Sequence, residues 1–244
     1  MIITSKQNDF IKQIRSLSNK KNRDETGLYI SESVKMVKEA LAIIPGSIEK
    51  IVATEHCANL VNCPSEKLVL VSDLVFESIS TEVSPQGIMA IIRKPNLSPI
   101  APTGKCLFLD GVSDPANVGA IIRTAVCAGY KELYLCDTAD AFSPKSIRAS
   151  MGGIYRAKIY QGEREELLRV IDKPIIVADM GGKDVFEFSY DGDFCLAIGN
   201  EANGISEELK RNADYIVSIP MENGMESLNA SVSAGILMYL LKQK

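Results

Sequence analysis

The 244-residue chain is predicted to be an α/β protein in two parts, a small α/β unit followed by a larger one built on a mostly parallel sheet. Three observations predict this. From Lys105 onward, short apolar strands alternate with helical stretches, the pattern of a sheet covered on both faces. Residues 94–104 (KPNLSPIAPTG) carry Pro95, Pro99 and Pro102 and can sustain neither helix nor ladder. That stretch reads as a linker between residues 1–93 and residues 105–244. Finally, the strands Phe194–Ile198 and Tyr215–Ile219 run into loops dense in Gly, Asn, Ser and Glu. In an open α/β sheet, ligands bind outside such carboxyl ends.

In the first part, Asn8 is placed to cap a helix carrying Phe10, Ile11, Ile14 and Leu17 on one face. A short strand over Gly27–Ile30 leads into a helix over Ser31–Ile44, whose Val34, Val37, Leu41 and Ile44 form one apolar stripe. Strands follow at Ile48–Ala53, Lys67–Val71 and Gly87–Arg93, with a helix from Ser72 or Asp73 to about Ser80. In the second part, strand Cys106–Asp110 precedes a helix over Val118–Ala128, closed by Gly129. Strands Leu133–Cys136, Ala157–Tyr160 and Ile175–Ala178 alternate with helices Pro144–Ser150 and Glu163–Ile171. After Tyr215–Ile219 comes a polar loop and a closing helix of small and apolar residues.

Composition narrows the class. At 46% apolar and 24% charged, the chain is that of a soluble globular protein. No apolar run reaches the ~20 residues that span a bilayer. The opening MIITSKQNDFIKQ lacks the layout of a signal peptide. Cys57, Cys63, Cys106, Cys127, Cys136 and Cys195 are scattered without a close pair, and read as buried thiols rather than a zinc site or disulfides. These features predict a cytoplasmic protein with no metal and no membrane partner. The net charge of −4 does not suggest a nucleic-acid binder, but charge is unevenly spread. Lys12, Arg15, Lys20, Lys21 and Arg23 fall within Lys12–Arg23 with no acid among them. That segment is either a solvated helix face or a phosphate-contacting patch.

Three constellations carry the chemistry. In Leu109–Ala125, Gly111 and Gly119 do not have the spacing of a dinucleotide-binding loop, so a nicotinamide site is disfavoured. Asn117 stands at the helix entrance, as a plain N-cap or as something more. Arg123 interrupts an otherwise apolar helix, and a buried guanidinium there needs an anionic or carbonyl partner, phosphate being an obvious one. In Ile198–Ser206, Gly199 and Gly204 permit a tight turn, and Glu201 between them either caps the next helix or serves a ligand. In Ile219–Gly235, Pro220 ends the strand, Asn223–Gly224 turns the chain, and Ser227 or Asn229 starts the last helix. Capping accounts for one of Ser227 and Asn229, not both.

These segments, in this order, resemble the three signature motifs of the SpoU (TrmH-type) RNA 2′-O-ribose methyltransferases of the SPOUT superfamily. The residues that carry the resemblance are Asn117 with Arg123, Gly199 with Glu201, and Ile219-Pro220 followed by Ser227-Leu228-Asn229. It covers about residues 105–244. Residues 1–93 resemble the accessory domain of the larger members, a small α/β/α fold, with Ser84-Pro85-Gln86-Gly87-Ile88 matching the segment that closes it.

The resemblance implies a deep C-terminal trefoil knot, made by the loops around Gly199–Gly204 and Ile219–Leu228 with the last helix threaded through. S-adenosyl-L-methionine would be held there by backbone groups at Gly199, Ile219 and Leu228, with no carboxylate at the end of a second strand to grip a ribose. Arg123 would be the central catalytic group, with Asn117, Glu201, Ser227 and Asn229 around it. A guanidinium pKa above ~12 suits phosphate anchoring better than general-base work. Glu201 would hold Arg123 or Asn117 in place. The resemblance also implies a homodimer through the knot region, and RNA as partner. The extra N-terminal domain points to ribosomal RNA first and transfer RNA second, with Lys12–Arg23 as the docking surface. A non-catalytic RNA-binding module is the alternative; it would lack one or more of Asn117, Arg123, Glu201 and Asn229, and all are present.

Overall fold

The computed structural model describes residues 2–222 and 227–241, so the expected Asn223–Gly224 turn lies outside the described residues. The chain forms two compact units. One comprises the residues up to Asn96 together with Phe142–Tyr155; the other comprises Leu97–Ala141 and the chain from Arg156 onward.

The first unit opens with β1 (Ile2–Ile3), α1 (Asp9–Ser16), α2 (Lys20–Thr26), β2 (Leu28–Glu32) and α3 (Val34–Ile43). It continues with β3 (Ile48–Thr54), β4 (Leu68–Val71), α4 (Asp73–Ile79) and β5 (Ile88–Arg93). Its sheet runs β1-β4-β3-β5-β2, with β5 antiparallel to both neighbours and the other pairings parallel. Asn8 caps α1 as expected, accepting from Phe10 N, and Ile11, Ile14 and Leu17 bury against Val52, Val75 and Phe76. The helix α2 was not expected. Asn19 caps it by accepting from Lys21 N, and Gly27 ends it in the left-handed region. The helix α3 begins later than its apolar stripe suggests. Ser31 and Glu32 pair with Ala90 and Met89 of β5, and Ser33 becomes the cap. Ladder pairing outweighs local helical preference there.

The second unit holds β6 (Cys106–Asp110), α5 (Pro115–Ala128) and β7 (Glu132–Cys136). The next helix, α6 (Pro144–Ser150), belongs to the first unit, where Tyr155 OH and Ser31 Oγ share a 2.5 Å hydrogen bond and Arg148 pairs with Glu82. A single cut at residues 94–104 therefore differs from the observed division: hydrophobic spacing marks α6 as a helix but not the unit it packs on. The chain then supplies β8 (Lys158–Gln161), α7 (Arg164–Val170), β9 (Ile175–Asp184), β10 (Cys195–Ile198), α8 (Glu207–Arg211), β11 (Tyr215–Ser218) and α9 (Ala230–Leu240).

The sheet of this unit runs β11-β9-β10-β6-β7-β8 and is parallel throughout, where a mostly parallel one is predicted. Alternate residues of β6 point to opposite faces, and Cys106, Leu107, Phe108 and Leu109 are all fully buried. One face packs Phe108, Tyr134, Tyr160, Val177 and Cys195 into a single cluster with Leu167, Ile205 and Leu209. Burying each of the larger side chains contributes roughly 1.5–3 kcal/mol. The connection from β6 leads to β7 on one side, while that from β10 leads past β9 to β11 on the other. The crevice between the carboxyl ends of β6 and β10 is thus a topological switch point, where such sheets bind ligands.

The strand β9 is longer than its apolar run. Tyr215 and Ile216 pair with Ile176 and Val177, whereas Val217 and Ser218 pair with Lys183 and Asp184, so residues 178–182 bulge outward. A Cβ on Gly182 would stand 2.6 Å from the backbone of Val217, and only glycine permits that approach.

Candidate active site

The carboxyl ends of β6, β10 and β11 feed three polar segments, and a ladder of side-chain hydrogen bonds ties them together. Asp110, the last residue of β6, is 3% exposed. It accepts from Arg164 Nε at 2.9 Å and Nη2 at 2.8 Å, and from Ser206 N at 2.8 Å. This pins the start of α8 beside β6. Between them, Gly199 lies so close to the chain that a Cβ would fall 2.4 Å from the carbonyl of Gly204. Asn200 bridges two segments: its amide donates to Gly111 O at 2.7 Å, and its oxygen accepts from Ala202 N and Asn203 N.

Asn117 is not the N-cap of α5. Asp114 takes that place, accepting from Ala116 N, with Pro115 as the first helical residue. The helix therefore starts before the expected Val118, and the buried Asn117 side chain is free to join a relay. Its amide donates to Glu201 Oε1 at 2.9 Å, and its oxygen accepts from Asn229 Nδ2 at 3.0 Å. Asn229 caps α9 as well, accepting from Ser231 N and Val232 N. It is thus the capping member of the Ser227/Asn229 pair, with its amide still available to hold Asn117.

Glu201 is the hub. Besides Asn117, it accepts from Ser113 N (3.1 Å), Ser113 Oγ (2.9 Å) and Asp114 N (3.4 Å). Burial pushes its carboxyl pKa up, but the Asn117 amide, the Ser113 N–H and hydroxyl and its own backbone N–H outweigh that and bring it down to about 2. It is a fixed anion that orients donors, and a poor proton acceptor near neutrality.

Beside this relay lies a cavity of about 500 Å³, within the range of small-molecule sites. Gly199, Ile219, Leu228 and Ser227 all line it, as does Glu201. Ile198, Val217 and Leu237 supply apolar wall. Seven of the eight predicted site residues are thereby brought together, by the relay or by the cavity. Ser227 is exposed on the wall, with no side-chain hydrogen bond among the described residues.

Arg123 departs from expectation. Its guanidinium is not buried but exposed, and no hydrogen bond or ion pair holds it among the described residues. The reason is helical phase. Val118, Ile121, Ile122 and Ala125 face the core, whereas Arg123 shares its stripe with the exposed Cys127 four residues on. Nor does Glu201 hold it; Asn117 is the partner instead.

Sequence reasoning missed Asn200, Ser113, Asp179 and Lys210. Asn200 looked like a turn residue only. Asp179 lies inside β9, which continues past Ala178 to Asp184, and it lines the cavity with Lys210 Nζ 2.5 Å from its Oδ2. Among the described residues, no group of three or more His, Cys, Asp or Glu is arranged to hold a metal ion, and no helix is long and apolar enough to cross a membrane.

In the first unit, Lys12–Arg23 is not a uniform basic patch. Arg23 is 3% exposed and donates to Leu17 O and Ser18 O, closing the end of α1. Arg15 binds Ser78 through its carbonyl and hydroxyl. Lys12, Lys20 and Lys21 pair with Asp9, Asp24 and Glu25 in helical spacing, while remaining exposed.

Residues 104–239 match the family model described as the SpoU rRNA Methylase family, and residues 8–90 match the MRM3-like substrate binding domain. The chain is 30% identical over 98% of its length to the 23S rRNA (guanosine(2553)-2′-O)-methyltransferase RlmP of Bacillus subtilis, of which 98% is covered. It is 30% identical over 72% of its length to a 23S rRNA (uridine(2479)-2′-O)-methyltransferase of Streptomyces viridochromogenes, of which 66% is covered. Among solved structures, the AdoMet-bound rRNA methyltransferase from Sinorhizobium meliloti superposes with a TM-score of 0.89 at 29% identity, covering all of this chain and 97% of that one.

Proposed function

The chain belongs to the SpoU rRNA methylase family, and from that premise we infer that it transfers the methyl group of S-adenosylmethionine to a ribose 2′-hydroxyl of ribosomal RNA. What supports this most is one cavity whose wall carries Gly199, Ile219 and Leu228 and, through Glu201, joins the relay to Asn117 and Asn229. The cavity suits the cofactor: its apolar wall fits an adenine, the crowded turn at Gly199 leaves no room for a side chain, and polar groups stand among the lining residues. Gly199, Ile219 and Leu228 would hold it. When bound, it supplies an electrophilic methyl group on a sulfonium.

The remaining work falls to the chain. A ribose hydroxyl is a weak nucleophile and must be held within roughly 3–3.5 Å of the carbon it attacks. Arg123, exposed and with a guanidinium not committed to any described partner, is suited to grip the neighbouring phosphate in bidentate fashion and lower the hydroxyl pKa through its charge. Asn117 and Asn229, locked by Glu201, set the edge of the site, and Ser227 adds a hydroxyl at the wall. The ionised Glu201, engaged with its donors, orients the site rather than taking the proton.

The same reading includes a deep C-terminal knot, a cytoplasmic location and a homodimer. The outer face of α9 supports a second copy of this chain as occupant: Val232 and Tyr239 are 49% and 43% exposed, and the exposed Leu228 precedes them. Light scattering is expected to give the dimer mass; a fully active monomer would refute the dimer. Mass-spectrometric mapping of ribose methylation in ribosomal RNA, from cells with and without this protein, tests the function. Loss of one 2′-O-methyl group is expected, and an unchanged map would overturn the assignment.

A further inference from the structure

The cavity holds a charged pair that the chemistry above leaves unused. Asp179, in the bulge of β9, and Lys210, on α8, both line it, with Nζ 2.5 Å from Oδ2 and side chains 25% and 31% exposed. Lys210 also lies 4.0 Å from Glu207 Oε1. Glu201 is the other charged group on the described wall, and its oxygens already accept from Ser113, Asp114 and Asn117. Asp179 and Lys210 are therefore the wall charges that can exchange partners. Most of the wall elsewhere is small or apolar, with Ile198, Val217, Ile219 and Leu237 prominent.

A cofactor with a nucleoside at one end and an amino acid at the other asks two different things of its pocket. The nucleoside base needs flat apolar contact. The amino-acid end carries an ammonium and a carboxylate on one carbon, and each needs an opposite charge or water. A contacting carboxylate–ammonium pair at a partly solvated part of the wall mirrors that zwitterion. On binding, each member swaps one opposite charge for another, so no charge is left buried and unpaired.

We propose that Asp179 and Lys210 form the subsite for the amino-acid end of the cofactor, Asp179 receiving its α-ammonium and Lys210 its α-carboxylate. This rests on the reading that the cavity holds S-adenosylmethionine. The competing role for the pair is structural, fastening α8 to the bulge of β9.

Calorimetric titration of the full chain with two probes separates these roles without any turnover. S-adenosylhomocysteine keeps the amino-acid end, whereas 5′-methylthioadenosine keeps the nucleoside and thioether and lacks it. In Lys210→Met and in Asp179→Asn, the Kd for S-adenosylhomocysteine is expected to rise about tenfold, a loss of about 1.4 kcal/mol, with that for 5′-methylthioadenosine within about twofold of the parent. Lys210→Arg should retain most of the affinity for S-adenosylhomocysteine. Equal weakening of both probes would show a structural pair, and no weakening of either would show an idle one; both outcomes overturn the proposal. If the parent protein bound neither probe, the cavity assignment itself would fall, and the subsite with it.

Discussion

The basic strip Lys12–Arg23 and the cluster around Glu201 are both polar surfaces rich in groups that suit RNA, yet they are built in opposite ways. In the strip, the cations other than Arg15, which reaches Ser78, are satisfied close by. Lys12, Lys20 and Lys21 meet acids three or four residues away, and Arg23 turns inward to the carbonyls of Leu17 and Ser18. In the cluster, partners come from distant segments: Asn117 and Glu201 are 84 residues apart, Ser113 and Glu201 88, and Asn117 and Asn229 112. Local pairs on exposed helices contribute only about 0.3–0.5 kcal/mol and exchange freely. A relay joining three loops costs far more entropy to assemble, and what it gains is position. The strip is suited to a general grip on RNA, the cluster to placing one hydroxyl.

Breaking the cluster, or removing Arg123, which stands apart from it, should therefore be the more damaging test. Arg123→Ala is expected to lower the single-turnover methylation rate by at least about a hundredfold, with S-adenosylhomocysteine affinity nearly unchanged. Arg123→Lys keeping full rate would remove the bidentate role. Glu201→Gln should cost about ten- to a hundredfold in rate, because an amide cannot accept from all the donors that the carboxylate gathers. Equal activity would show that the charge of Glu201 is not required. In the strip, changing Lys12, Lys20 and Lys21 together to Glu should raise the KM for RNA several-fold and leave cofactor affinity alone. Arg23→Ala should instead destabilise the first unit, by about 1–3 kcal/mol in denaturant titration, because it leaves the buried carbonyl of Leu17 unpaired.

Much of this architecture was legible from residue patterns. The parallel sheet followed from apolar runs alternating with helical stripes, and the loops at Gly199–Gly204 and Pro220–Leu228 stood out because polar residues crowd where strands end. What stayed hidden has physical causes. The burial of Arg123 was inferred from its apolar neighbours, but an arginine on the outer stripe of a helix is flanked in sequence by residues that face the other way. Asp179 escaped notice because β9 carries on through a bulge, and apolar spacing ends at Ala178. The fate of Arg23 depended on a helix end that its own segment creates, and the placing of α6 with the first unit on contacts such as that of Tyr155 with Ser31, far apart in sequence. Spacing reports which face is apolar, not what that face meets.

The subtlest contrast between the two surfaces is how their carboxylates respond to acid and salt. Asp24, which follows the strip and pairs with its Lys20, titrates below its usual 3.8 because Lys20 and then Lys94 hydrogen-bond it, with partial burial opposing. Glu201 is brought from 4.5 to about 2, against the opposing effect of burial, by neutral donors on Asn117, Ser113 and its own backbone. Both are lowered carboxylates, so each stabilises its surroundings fully above its unfolded pKa and loses that contribution as pH falls through the folded value. For Glu201 the window runs from about 4.5 down to about 2, which leaves the cluster intact wherever ribosomal RNA is handled. Salt separates them. At 1 M ionic strength the screening length is about 3 Å, so the attraction of Lys20, which is exposed, and of the half-buried Lys94 for Asp24 fades and its pKa should climb back toward 3.8. Hydrogen bonds from uncharged donors are not screened in this way, and Glu201 should stay near 2. A carbon-13 side-chain carboxyl titration at low and high salt measures both groups in one sample. If Glu201 moved as far as Asp24, the cluster would be held by charge rather than by aimed dipoles, and the distinction between the two surfaces would fail.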